Sequence, residues 1–320
     1  MEARGAGSLI LIKADFKRMK YQYYTCDVFT QTRFGGNPLA VLPKAAELTD
    51  HQMQQIAREF NYSETAFVFP PDAGHTRRVR IFTPAREVPF AGHPNVGTAF
   101  ILATTGELGD IRPLSEVTFE EKAGLVSISI RRSSDKITSC ELRAPQPVSL
   151  EQTISARLIA SAVSLDEEDI LTGAHAPQLV SVGLPFVLAE LRHRSALERC
   201  RVNMMGFTDL LEVLKEGVRT SVYLYTRTKG DVDICARMFA PLSGMPEDPA
   251  TGSATCAVVG LLAHLDKQAS GKFSYRLAQG VEMGRPSTLL ARAEKTNGVV
   301  TATWVGGPCV MVSEGFIHVD

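Results

Sequence analysis

The feature that most constrains this chain is an internal repeat. Residues 93–99 read HPNVGTA and residues 248–254 read DPATGSA, setting Pro94 over Pro249, Gly97 over Gly252, Thr98 over Ser253 and Ala99 over Ala254. Upstream, RIFTP (80–84) matches RMFAP (237–241), and GNPLAVL (36–42) resembles GLPFVLA (183–189). Both halves keep one order: a turn and strand, an R-x-F-x-P strand, then a loop entering an apolar helix. Self-similarity of this kind marks a duplicated supersecondary unit. Two copies in 320 residues predict two similar domains facing each other about a pseudo-two-fold axis. A cleft between such domains is a favoured place for a small-molecule site.

The local pattern is strand-rich. YYTCDVFT, LAVLP, ETAFVFP and RRVRIFTP read as strands, followed by VTFEE, LVSISI and ITSCELR. TDHQMQQIAREF reads as a helix capped by Thr49 or Asp50, with Met53, Ile56, Ala57 and Phe60 at helical spacing. A second helix is predicted over about 95–105, ended by Gly106, and others near 153–163, 208–216 and the run after 250. The proline-rich APQPV (144–148) reads as a linker. Strands near 272–279, 287–294, 298–305 and 308–319 close the chain.

Composition excludes several functions. With 34 basic and 35 acidic residues the chain has no electrostatic footprint for nucleic acid, and no apolar run has the length of a membrane span. SLILI (8–12) is too short for a signal-peptide core. Residues 1–20 read as a leader outside the fold, with Met19 as an alternative start. Six scattered cysteines without CxxC or zinc spacing predict free thiols and a cytoplasmic protein. There is no GxGxxG, Walker A, GxSxG or HExxH, and the histidines form no metal-ligand spacing, so no cofactor or metal is expected.

The repeat makes His93 and Asp248 equivalent, each just ahead of a helix N-terminus, where unpaired backbone N–H groups and the helix dipole favour an anion. On this reading Gly97 and Gly252 let a ligand approach the backbone closely. Thr98 and Ser253 are read either as site residues or as early helix residues and caps. Histidine suits proton transfer near neutral pH, though a lone histidine also serves structurally. Asp248 either caps its helix or orients a proton-transfer partner. Glu64, leading into the apolar TAFVF, is read either as a strand-end carboxylate in water or as a desolvated general acid/base.

FGGNPLAVL, NYSETAFVF, FTPAREVPFAGHP, EDPATGSA and QGVEMGRPS, in order over about residues 21–320, together resemble the PhzF phenazine-biosynthesis-like family. The resemblance implies the diaminopimelate-epimerase-like fold, an α/β (α+β) architecture of two similar domains. Each is a curved, mostly antiparallel sheet wrapped around a central helix. The first domain is expected over 21–145 plus about 308–320, the second over 146–307. The resemblance also implies a homodimer and a cofactor-free isomerase acting on a small carboxylate-bearing substrate. PhzF moves a proton between ring carbons of trans-2,3-dihydro-3-hydroxyanthranilate. Carried over residue by residue, the family motifs make Glu64, His93, Asp248 and Ser253 catalytic. They make Asn37, Ser63, Gly92, Pro94, Thr251 and Gly252 substrate-binding. Neither helix entrance carries a thiol, and Cys256 with its half-mate Ile101 cannot form a facing pair, which excludes the two-cysteine racemisation of other members of the fold. Cys256 is expected in the core. A non-enzymatic acid-binding or scaffold protein, and a tautomerase or lyase using the same pocket, stay open as alternatives.

Overall fold

The computed structural model describes residues 19–218 and 220–320. The leader expected over 1–20 falls mostly outside the described residues; Met19 and Lys20 open the first strand. The first half runs β1 (Met19–Val28), β2 (Asn37–Leu42), α1 (Asp50–Phe60), β3 (Glu64–Phe69), β4 (Arg77–Phe82), β5 (Glu87–Val88), α2 (Gly92–Thr104), β6 (Leu114–Glu121), β7 (Gly124–Ser133) and β8 (Lys136–Arg143). The second runs β9 (Ser149–Thr153), α3 (Ala156–Ala162), β10 (Ile170–Leu171), β11 (Gln178–Ser181), β12 (Pro185–Leu191), α4 (Arg194–Arg199) and α5 (Met204–Val213). It continues through β13 (Val222–Arg227), β14 (Ile234–Ala240), β15 (Met245–Asp248), α6 (Gly252–Leu265), β16 (Gly271–Gln279), β17 (Ser287–Thr296) and β18 (Val299–Gly307). The last strand, β19 (Cys309–Val319), returns to pair antiparallel with β1.

Strand pairing repeats in sense as well as in order. β2–β3 and β12–β13 are parallel, β3–β4 and β13–β14 antiparallel, β4–β6 and β14–β16 parallel. Each series ends in an antiparallel meander, β6–β7–β8 and β16–β17–β18, and the two join where β8 pairs with β18. The mixed α/β, sheet-dominated fold is therefore the one expected.

Two helices organise the core. Residues 92–102 of α2 and 252–263 of α6 are buried on every side, and a helix apolar all round has to be sheathed. β8, β1 and β2 cover α2, while β18 and β17 cover α6. Short amphipathic helices lie outside. On α1, Thr49 and Gln52 form a capping box and Met53, Ile56 and Ala57 face inward. No helix among the described residues is long and apolar enough to cross a membrane. Cys256 is buried in the main core, as expected, and all six cysteines are free.

The register of the repeat differs from the one the sequence similarity suggests. Ile81 pairs with Val88 across β4–β5, and its counterpart Met238 pairs with Asp248 across β14–β15. The structural match is therefore EVPFAGH (87–93) over EDPATGS (247–253), without a gap. Val88, not His93, is the counterpart of Asp248, a slip of 93 − 88 = 5 residues, and His93 corresponds to Ser253. Glycine and small residues recur within both helices, so similarity alone finds a wrong phase; the ladder of hydrogen bonds fixes the right one. Helix α2 accordingly begins at Gly92 rather than near 95, and His93 is its second residue.

Two expectations change as a result. A Cβ on Gly97 would lie 2.6 Å from Leu39 Cδ2 and 2.7 Å from Val28 Cγ2, so this glycine admits the sheet to the helix and not a ligand. Thr98 is the seventh residue of α2 and fully buried, not a cap. We expect Gly97→Ala to lower unfolding free energy by about 1–3 kcal/mol through overpacking, measured by denaturant titration.

Candidate active site

Each helix entrance is positioned by a duplicated ion pair. Arg80 grips Glu87 with two hydrogen bonds of 2.8 Å, and its counterpart Arg237 grips Glu247 at 2.7 and 2.8 Å. Such two-pronged pairs fix geometry as well as charge. Arg237 also donates to the carbonyls of Leu197 and Cys200, tying its loop to α4. Sequence reading noted the R-x-F-x-P strands without pairing their arginines. The signal was present, because each such arginine precedes a glutamate placed five residues before the helix-opening glycine.

Held this way, the two helices meet end to end. A Cβ on Gly92 would sit 3.1 Å from the backbone N of Ser253, and one on Gly252 would sit 3.6 Å from Gly92 Cα. The N-cap residues, Ala91 and Thr251, make no side-chain capping bond. The first-turn N–H groups of both helices thus converge without side-chain caps, and both dipoles present their positive ends to the same place. Pro94, third in α2, lacks an N–H that the helix would leave unpaired in any case.

A buried polar chain borders this meeting point. The Asn37 amide nitrogen lies 2.8 Å from Asp248 Oδ1, 2.9 Å from the Ala250 carbonyl and 3.2 Å from His93 Nδ1. Ser63 donates to the same Asp248 oxygen at 3.3 Å and Thr251 donates to Oδ2 at 2.5 Å. On the far side of the imidazole, His93 Nε2 lies 3.6 Å from Glu64 Oε2. Nε2 is buried and makes no hydrogen bond within the protein. Asn37, Ser63, Glu64 and His93 come from the first half; Asp248 and Thr251 come from the second. With Gly92, Gly252, Ser253 and Pro94 at the helix starts, every residue singled out in the sequence is brought to this one region.

Two supporting residues escaped the sequence reading although both stand in its QGVEMGRPS stretch. Gln279, fully buried at the end of β16, accepts from the Thr251 backbone N–H at 3.0 Å and donates to the Asp248 carbonyl at 2.8 Å. Arg285 donates to the Gly36 carbonyl at 2.9 Å and to Asp27 at 2.6 Å, anchoring the turn that delivers Asn37. Polar side chains of this type read as surface until the fold encloses them.

Burial sets the protonation states. It pushes His93 down to about 3, opposed by the Pro38 carbonyl, so the imidazole is neutral at neutral pH. It pushes Asp248 up to about 6, against the hydrogen bonds from Thr251, Asn37 and Ser63. Linkage gives the two groups opposite signs. His93 contributes stability that is present above about 6.5 and lost as pH falls towards 3. Asp248 contributes stability that is present below about 3.8 and lost as pH rises through about 6. In the window they share, each full proton is worth about 1.4 kcal/mol per pH unit, and the two slopes oppose each other.

A family model described as phenazine biosynthesis-like protein matches residues 26–315. An uncharacterized isomerase of Mesorhizobium japonicum is 36% identical over 303 residues, covering 93% of this chain and 98% of its own. The trans-2,3-dihydro-3-hydroxyanthranilate isomerase of Pseudomonas aeruginosa is 33% identical over 296 residues, covering 92% and 98%. Among solved structures, the PhzF-family protein of Bacillus anthracis is similar with a TM-score of 0.81 at 24% identity, covering 93% of this chain and 99% of that one.

Two outcomes follow from the geometry. The His93 ring signals should not titrate between pH about 5 and 8, while the Asp248 carboxyl should titrate near 6; pH-dependent NMR of labelled protein reads both. Gly92→Ala should press α2 against the first turn of α6 and cut turnover about 10²-fold, the scale expected of a misplacement near 1 Å, with the far-UV circular dichroism unchanged.

Proposed function

The chain belongs to the phenazine biosynthesis-like family and is an isomerase, and on that premise we propose that it moves a proton between two carbons of a small, cyclic, carboxylate-bearing substrate. The reaction proposed resembles that of the trans-2,3-dihydro-3-hydroxyanthranilate isomerase to which the chain is similar. The observation that carries the reading is the Glu64 carboxylate standing 3.6 Å from an unpartnered His93 Nε2, beside two helix entrances without side-chain caps.

The substrate carboxylate lies at the converging backbone N–H groups near Gly92 and Gly252, where donors and dipoles are already oriented. This fixes the ring so that one C–H faces Glu64. Glu64 takes that proton, the electron pair delocalises into the ring and its substituents, and Glu64 returns the proton at a second carbon. Because Glu64 ends as it began, the step consumes nothing. His93 and Ser253 hold the polar groups on which charge develops, and a neutral imidazole can give or accept a proton there without a charged intermediate at rest. Asp248, through Asn37, orients the His93 ring. Pro94, Ser63 and Thr251 shape the entrance and hold Asp248. We also propose that residues 21–145 with 308–320 move as one lobe and 146–307 as the other, in keeping with the duplicated pairing and its join at β8–β18.

The test is proton NMR of dihydro-hydroxyanthranilate in heavy water, wild type beside Glu64→Gln. The wild type should form rearranged product carrying solvent deuterium at the protonated carbon. Glu64→Gln should lose about 10²–10⁴-fold in rate, the usual contribution of a positioned acid/base. Equal turnover by the two proteins would remove Glu64 from the mechanism.

A further inference from the structure

The register that pairs Gly92 with Gly252 also pairs two residues at the ends of β6 and β16. β4 runs parallel to β6 with Arg78 opposite Glu120, and β14 runs parallel to β16 with Cys235 opposite Ala278. Since Arg78 and Cys235 are counterparts, so are the next residues along, Glu121 and Gln279. The turns beyond them agree: Ala123 donates to the Pro89 carbonyl at 3.1 Å, and Ser287 donates to the matching Pro249 carbonyl at 3.0 Å. Gln279 locks the α6 entrance through the Thr251 and Asp248 backbone. The α2 entrance has a carboxyl in the same place.

Three buried atoms beside it lack partners. Both carboxyl oxygens of Glu121 and the Asn95 Oδ1 are enclosed without a hydrogen bond. Asn95 is fully buried in the first turns of α2 and spends one amide hydrogen on the Ala91 carbonyl at 2.9 Å. Its amide is the side-chain group that faces Glu121. A single proton resolves the set. As a carboxylic acid, Glu121 donates O–H to Asn95 Oδ1 and accepts the second Asn95 N–H, leaving all three atoms paired. As a carboxylate it would set negative oxygen against the Asn95 oxygen and leave an unpaired buried charge.

The charged groups on neighbouring elements are engaged elsewhere. Glu120, alternating to the other face of β6, accepts from the backbone of Asp72, Ala73 and His75. Lys122 and Arg80 both go to Glu87, Arg78 to Asp72, and Arg77 to the Glu107 carbonyl. On α2 itself the titratable group is His93, whose Nε2 faces Glu64.

We propose that Glu121 is a positioning residue kept as a neutral carboxylic acid, which pairs with Asn95 and locks the α2 entrance as Gln279 locks the α6 entrance. Burial lifts the Glu121 carboxyl to about 8, consistent with this state at neutral pH. The sign follows from linkage. The folded protein holds this proton more tightly than the unfolded chain, so its contribution is present below about 4.5 and lost as pH rises through about 8.

Thermal unfolding against pH tests this without any substrate. The Tm of Glu121→Gln should pull away upward from wild type as pH rises from about 5 to about 9, by on the order of 5 °C, because glutamine makes the same pairing and never ionises. Glu121→Met should lack the same pH dependence yet unfold at lower temperature than Glu121→Gln throughout, since it cannot pair with Asn95. Parallel wild-type and Glu121→Gln curves would overturn the proposal. Turnover adds an arm that rests on the reading of Glu64 and His93 above: kcat/KM of wild type should fall through the same pH range and that of Glu121→Gln should not. Diverging Tm curves with no such difference in turnover would uphold Glu121 and count against that reading.

Discussion

The close approach of Gly92 to Gly252 is the constraint on which the rest depends. Two fully buried helices end nose to nose, and only residues without side chains let their first turns come within van der Waals contact. Each terminus brings backbone donors and a positive dipole end. Placed together they would repel unless an anion lay between them, so the fold itself prepares a site for negative charge. Everything around this point, from the duplicated arginine clamps to the sheaths of strands, keeps two mutually unfavourable ends in place.

Duplication explains the scaffold; departure from duplication explains the chemistry. The clamps Arg80–Glu87 and Arg237–Glu247 and the two glycines are repeated. The reactive positions are not. His93 stands where the second half has Ser253, and Asp248 where the first half has Val88. Glu64 has no carboxylate opposite it, because β13 offers Ser221 at that station. A pseudo-symmetric pair of helices thus carries an asymmetric set of groups, with a base on one side and hydrogen-bonding groups on the other. That suits moving a proton between two carbons more than inverting one centre with two like residues.

Burial is the second organising force. His93, Asp248 and Asn37 are nearly or wholly removed from water, and each retains function only because its neighbours satisfy it. Asp248 accepts from three side chains, and Asn37 spends its amide on two acceptors before reaching His93. A neutral imidazole and a carboxyl poised near the physiological range are products of that enclosure, not of the residues alone.

From the sequence by itself came the duplication, the strand-rich α/β class, the two buried helices and the set of motif residues now found in one region. Those are local or compositional properties: apolar runs, turn residues, short motifs in order. The tertiary structure decided the phase of the repeat, because small residues recur inside a buried helix and only the β4–β5 and β14–β15 ladders select one alignment. It decided that Gly97 admits a strand and Gly92 admits a second helix. It also decided that Arg237, Gln279, Arg285 and Glu121 belong to the interior. A polar side chain carries no mark in sequence of whether it will meet water or a buried partner, since burial is set by what folds over it from far along the chain.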